Sequence, residues 1–115
     1  MATTVAGFIL RAADRQETAR FYAELGLRAN EHQHGGPIHH EVGPMSDECV
    51  MEVYIRSPAF SQDALMLNVD SIEAALNVVA GFGIQAAMDV RDMGDAKFVY
   101  IADPDGRPVM LIEKK

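Results

Sequence analysis

The sequence predicts an α+β fold of two β-α-β-β-β modules, which together form a cupped mixed β-sheet with a cleft. Three observations carry this. Two capped amphipathic helices recur half a chain apart. A short apolar strand runs into each helix, and three strand-like segments follow each one.

The elements follow in order. Val5–Leu10 and Ala64–Val69 are apolar runs that end at a helix cap. Asp14-Arg15-Gln16-Glu17 and Asp70-Ser71-Ile72-Glu73 read as capping boxes, 56 residues apart (70 − 14). Thr18, Phe21, Tyr22 and Leu25 then fall at i, i+3, i+4 and i+7, as do Ala75, Val78, Val79 and Phe82. Phe21 and Tyr22 are expected in the core. Gly26, and Gly81 or Gly83, supply left-handed helix ends. The remaining strands are Leu27–Gln33, Ile38–Val42 and Cys49–Ile55, then Ile84–Val90, Lys97–Ile101 and Arg107–Glu113. Their turns hold Gly35-Gly36-Pro37, Gly43-Pro44, Met93-Gly94-Asp95 and Asp103-Pro104-Asp105-Gly106. Ser57-Pro58-Ala59 reads as the connector. The chain is thus one domain, 1–115, with modules of about 1–57 and 58–115. One helix covers only one face of each sheet, so the other face must meet a module, a subunit or a ligand.

Composition narrows the function. The net charge of −7 disfavours nucleic acid and admits cationic ligands. No apolar run approaches the roughly 18 residues of a membrane span. The N-terminus carries no signal-peptide pattern, and Cys49 is the sole cysteine, expected to be buried and inert. A cytoplasmic protein is expected. Phosphate loops, dinucleotide fingerprints and nucleophile–base pairs at recognisable spacing are all absent.

Asp14…Thr18-Ala19-Arg20-Phe21-Tyr22-Ala23-Glu24-Leu25-Gly26-Leu27 and Asp103-Pro104-Asp105-Gly106-Arg107-Pro108-Val109-Met110-Leu111-Ile112-Glu113 resemble motifs of the vicinal oxygen chelate superfamily. That superfamily contains glyoxalase I, bleomycin- and fosfomycin-resistance proteins and extradiol dioxygenases, and the resemblance spans essentially the whole chain. It implies the glyoxalase/bleomycin-resistance fold and a homodimer. It also implies a divalent metal on four cleft-facing strand positions, which match Gly7, Ala64, Glu52 and Met110 here. Only Glu52 carries a donor suited to a hard metal. No cofactor is therefore predicted at the family positions, provided that the strand register is right.

All four histidines fall within His32–His40. His32 and His34 share a strand face. An even loop adds His39 and Glu41 to that face, whereas an odd loop adds His40. The stretch is similar to one in a branch of the superfamily where tyrosine stands at the position of His40, which favours a cleft role. Expected ligand-binding residues are Glu52, Tyr54, His34, His39, His40, Tyr100 and Met110. A second reading places a divalent transition metal on His34, His39 and Glu52. Arg56, Arg91 and Arg11 are candidate partners for Glu52.

Three functions compete. The first is a metal-free small-molecule-binding protein that takes an aromatic or cationic ligand. The second is a lyase, isomerase or dioxygenase with a rearranged metal site. The third is a regulatory or immunity-type partner protein.

Overall fold

The structure, a computed structural model, describes residues 2–33, 36–43 and 49–115. Its elements are β1 (Thr3–Ala12), α1 (Arg15–Glu24), β2 (Ala29–His32), β3 (His39–Val42), β4 (Val50–Ile55), β5 (Ala64–Val69), α2 (Ile72–Ala80), β6 (Arg91–Asp92), β7 (Ala96–Ala102) and β8 (Pro108–Lys114). They fall into two compact units, Gly7–Asp63 and Ala64–Lys115, the latter with the N-terminal residues through Ala6.

In the first unit the strand order is β2-β3-β4-β1, with β1 parallel to β4 and the other pairs antiparallel. Asp14 caps α1 by accepting from the Glu17 amide. Ala12, Val42, Met51 and Val53 form the buried core, against which Leu10, Tyr22, Leu27 and Ala29 pack. The second unit repeats the plan as β5-β8-β7-β6, with β5 parallel to β8. Its core is Val69, Ile72, Ala75, Val99, Ile101, Val109 and Leu111. Each unit is thus a mixed sheet with one covering helix, and the β-α-β-β-β pattern holds.

Four details depart from expectation. Ser71, not Asp70, caps α2, accepting from the Ala74 amide, while Asp70 accepts from the Ala2 amide. The caps therefore lie 57 residues apart (71 − 14) rather than 56. At that offset Gly26 (φ +107°) matches Gly83 (φ +74°), the left-handed residue, and Gly81 is right-handed. A further helix-start amide, that of Ile72, donates to Glu113, which also pairs with Lys97. These contacts hold the Glu113 carboxyl below its ordinary range, the Ile72 amide most of all.

The segment Ile84–Val90 forms no ladder: its Ala87 amide donates to the Tyr100 carbonyl at 2.8 Å, but ladder pairing with β7 begins at Arg91–Asp92. Its Gln-Ala-Ala-Met-Asp middle lacks β-branched residues. Ile84 and Met88 pack on the core of the unit instead.

Both helices also present a different face than their largest apolar residues suggest. Phe21 is 59% exposed and Leu25 69%, and their equivalents at +57, Val78 and Phe82, are exposed too. The stripe against the sheet runs instead through Ala19 and Tyr22, and through Ile72, Ala75, Leu76 and Val79. Alanine there allows the helix to approach the sheet closely. The fourth departure is Cys49, which is half-buried rather than buried.

Candidate functional site

The site grows from one alternation. On β4, Met51 and Val53 turn toward α1, so Glu52 and Tyr54 turn to the helix-free face. Register carries that face across the unit. Glu41 opposes Glu52, His32 opposes His39, and Arg11 lies beside Tyr54. Six residues (33–38) separate β2 from β3, so the even-loop case holds and His39 and Glu41 share the face with His32.

Side chains on this face form a stacked row. The His39 and Tyr54 rings lie 4.5 Å apart and 13° from parallel. His32 stacks on His39 at 6.2 Å, and the Arg11 guanidinium lies 4.7 Å from the centre of the Tyr54 ring. Carboxylates flank the row. Glu41 meets His32 Nε2 at 2.8 Å. Glu52 lies 3.8 Å from His39 Nε2 and accepts from the Tyr54 hydroxyl at 3.5 Å. His39 is almost wholly buried, whereas Glu52 keeps partial access to solvent. Ring-on-ring contacts of this kind contribute about 0.5–1.5 kcal/mol each beyond area burial. They hold the rings in one row across the sheet.

His40 goes elsewhere. It opposes Val53 on the α1 side, where Arg15 donates to its Nδ1 at 3.1 Å. Arginine has no acceptor, so the imidazole proton sits on Nε2, which faces Glu31 at 4.0 Å. Burial, and then the Arg15 charge, push the His40 pKa below its ordinary 6.5. His34 lies outside the described residues.

The second unit presents its own helix-free face. Tyr100 pairs with Met110, which pairs in turn with Met66. Phe98 meets Tyr100 edge to face at 6.2 Å. This is an apolar, sulfur-rich surface with one hydroxyl.

Sequence reading did not single out Arg11 or Phe60 as ligand contacts. The Arg11 guanidinium is 4.8 Å from the Phe60 ring as well. The sequence signal was an arginine directly after the apolar run Val5–Leu10 and an aromatic residue just after the Ser57-Pro58-Ala59 connector. A tight turn with reciprocal Ser57–Phe60 backbone hydrogen bonds, both 3.1 Å, sets the ring there.

The four positions at which a divalent metal is expected now have an environment. Glu52 and Met110 lie on the helix-free faces of their units. Gly7 pairs with Val50 at φ +146°, and a Cβ built on it would lie 1.7 Å from the Val50 carbonyl oxygen. No side chain fits. Ala64 brings no donor, and the Met110 thioether suits soft ions only. These residues do not fit a hard divalent cation. Among the described residues no three His, Cys, Asp or Glu side chains are grouped so as to hold a metal.

A scan of protein-family models matches residues 4–111 to the Glyoxalase/Bleomycin resistance protein/Dioxygenase superfamily. The chain belongs to that superfamily. The search of curated proteins finds no match. Among solved structures, a hypothetical protein from Bacillus halodurans superposes with a TM-score of 0.74 at 15% identity, covering 100% of this chain and 96% of that one. A superfamily member from Vibrio splendidus gives 0.67 at 17%, covering 98% and 100%. Methylmalonyl-CoA epimerase from Mycobacterium tuberculosis gives 0.68 at 15%, covering 96% and 85%. At these identities the likeness shows the fold alone.

Within the superfamily fold, the two sequence motifs have structural work here. Asp14 is the α1 cap. Asp103 folds its turn by accepting from the Asp105 and Arg107 amides, both at 2.9 Å, with Gly106 at φ +86°. Those bonds, that from Arg107 foremost, lower the Asp103 pKa. No helix among the described residues is long and apolar enough to cross a membrane.

Proposed function

We propose that this chain is a metal-independent small-molecule-binding member of its superfamily, with the ligand on the helix-free face of the Gly7–Asp63 unit. Glu52 and the Tyr54 hydroxyl supply polar contacts, and His39 braces Tyr54 from behind. Tyr100 and Met110 offer an apolar lining on their own face. His40, engaged by Arg15 on the far side of the sheet, is left out.

The observation that carries the reading is Gly7. The position where a metal ligand is expected is filled by the Val50 carbonyl, so the site is closed to any side chain. The stacked row supports the second half of the reading. Its rings are ordered before any ligand arrives, which lowers the entropic cost of binding.

The test is a thermal-shift screen of small polar ligands with and without chelator, beside elemental analysis of untagged protein. Ligand-dependent stabilisation that chelator leaves unchanged supports the reading. Near one transition metal per chain, lost in Glu52→Ala or His39→Ala, would replace it with a rearranged metal site.

A further inference from the structure

Arg11 interrupts the apolar run of β1, and its surroundings give it more than a surface role. Its amide donates to Asp63 Oδ1 at 2.8 Å, and its carbonyl accepts from the Arg56 guanidinium at 3.2 Å. The backbone on which it stands is therefore held at both polar groups. Its own guanidinium lies over Tyr54 and Phe60 at 4.7 and 4.8 Å. β3 and β1 flank β4 from opposite sides, so His39 and Arg11 take opposite faces of the Tyr54 ring.

The chemistry of that arrangement is specific. A ring face attracts a cation but accepts no hydrogen bond in the plane of the guanidinium fork. The rings thus hold the charge in place and leave its donors to water or to a ligand. Arg15, Arg20 and Arg107 each meet a carboxylate. Arg11 forms no ion pair among the described residues. Arg56 follows β4 on the same alternation as Glu52 and Tyr54, and its guanidinium reaches the Arg11 backbone.

We propose that Arg11, with Arg56 beside it, is a carboxylate-receiving subsite on the helix-free face, and that the ligand is a small organic acid. The proposal rests on the small-molecule-binding reading above and names the ligand class for that site. A planar fork pairs with a planar carboxylate through two parallel bonds. A phosphate dianion fits less well, because Glu52 shares the face and Asp63 lies at the Arg11 backbone. The overall charge of −7 invites a cation at long range, yet the ordered group at this end of the row is itself cationic. The rest of the ligand then extends along the row toward the Tyr54 hydroxyl and Glu52, which asks for a hydrogen-bond donor there.

The experiment titrates the full chain with benzoate, inorganic phosphate and benzylammonium in turn. The readouts are the NMR shift of the Arg11 side-chain Nε–H and the thermal midpoint. Benzoate is expected to move the Arg11 signal. Arg11→Lys, which keeps charge but loses the fork, should weaken benzoate about tenfold. Arg11→Gln should abolish binding, and Arg56→Gln should weaken it several-fold. An unmoved Arg11 signal overturns the proposal, as does benzoate binding that survives in Arg11→Lys and Arg11→Gln. Tighter binding of phosphate or benzylammonium than of benzoate overturns it too. Chelator-insensitive binding of another ligand, unaffected at Arg11, would remove this subsite and leave the metal-independent reading standing. A bound metal lost in Glu52→Ala would remove that reading on separate grounds.

Discussion

Replacing Gly7 with alanine adds one methyl group at the tightest point between β1 and β4. The new carbon would lie 1.7 Å from the Val50 carbonyl oxygen, where ordinary contact begins at 3.4 Å. The strands must part locally by about 1.7 Å (3.4 − 1.7), at the first rung of their parallel ladder, Gly7 with Val50. Overpacking of this kind costs about 1–3 kcal/mol. The positive φ of +146° adds roughly 1–3 kcal/mol for any residue with a Cβ. Backbone movement that relieves the clash also relaxes φ, so the two overlap and about 3 kcal/mol is expected. That is a large part of a domain stability of about 5–15 kcal/mol. Urea denaturation at matched protein concentration should show the midpoint lowered by roughly 1–3 M. A loss under about 1 kcal/mol, with amide exchange showing the β1–β4 ladder intact, would refute the steric argument. The claim that no ligand side chain can enter at position 7 would fall with it.

The remaining predictions concern the caps, His40 and the stacked row. Ser71→Ala should cost about 1 kcal/mol in the same denaturation assay and exceed the cost of Asp70→Ala; the reverse order would restore Asp70 as the cap. His40 is held below 6.5 by burial and then by Arg15, so the unfolded chain takes up its proton first. Stability is therefore full above pH 6.5 and is lost as pH falls from there toward the depressed folded value. His40→Gln should flatten that dependence, and an unchanged slope would place the proton elsewhere. Tyr54→Ala removes the ring shared by His39 and Arg11, so both the His39 ring signals and the Arg11 Nε–H signal should shift in NMR spectra. If both stay in place, the row is not a connected stack.

How much was legible in the sequence follows from which forces act locally. Helix starts, glycine ends and the apolar strands are written in neighbouring residues, and the doubled β-α-β-β-β pattern could be read from them. The Asp103–Arg107 turn is local in the same sense, since its hydrogen bonds span at most four residues. The Ile84–Val90 strand failed because the evidence for it was two apolar ends around a weak middle, and tertiary packing drew Ile84 and Met88 to the α2 core. Phe21 and Val78 misled because bulk was read as burial, whereas close helix–sheet approach favours Ala19 and Ala75.

The site divides along the same line. The sequence alone placed His32, His39, His40 and Glu52 on strands, and Gly7, Ala64 and Met110 where donors were expected. Alternation also ensured that His39 and His40 take opposite faces, without saying which face was which. Only tertiary structure decided that. The β2–β3 register and the packing of Val42, Met51 and Val53 under α1 turned His39 toward Tyr54 and His40 toward Arg15. Only tertiary structure, likewise, brought Phe60 from a connector to Arg11 on a strand 49 residues earlier (60 − 11), and set Gly7 against the Val50 carbonyl. The physical reason is common to both. A residue's face is fixed by local periodicity, but its neighbours across strands are fixed by register, and register depends on the packing of the whole sheet.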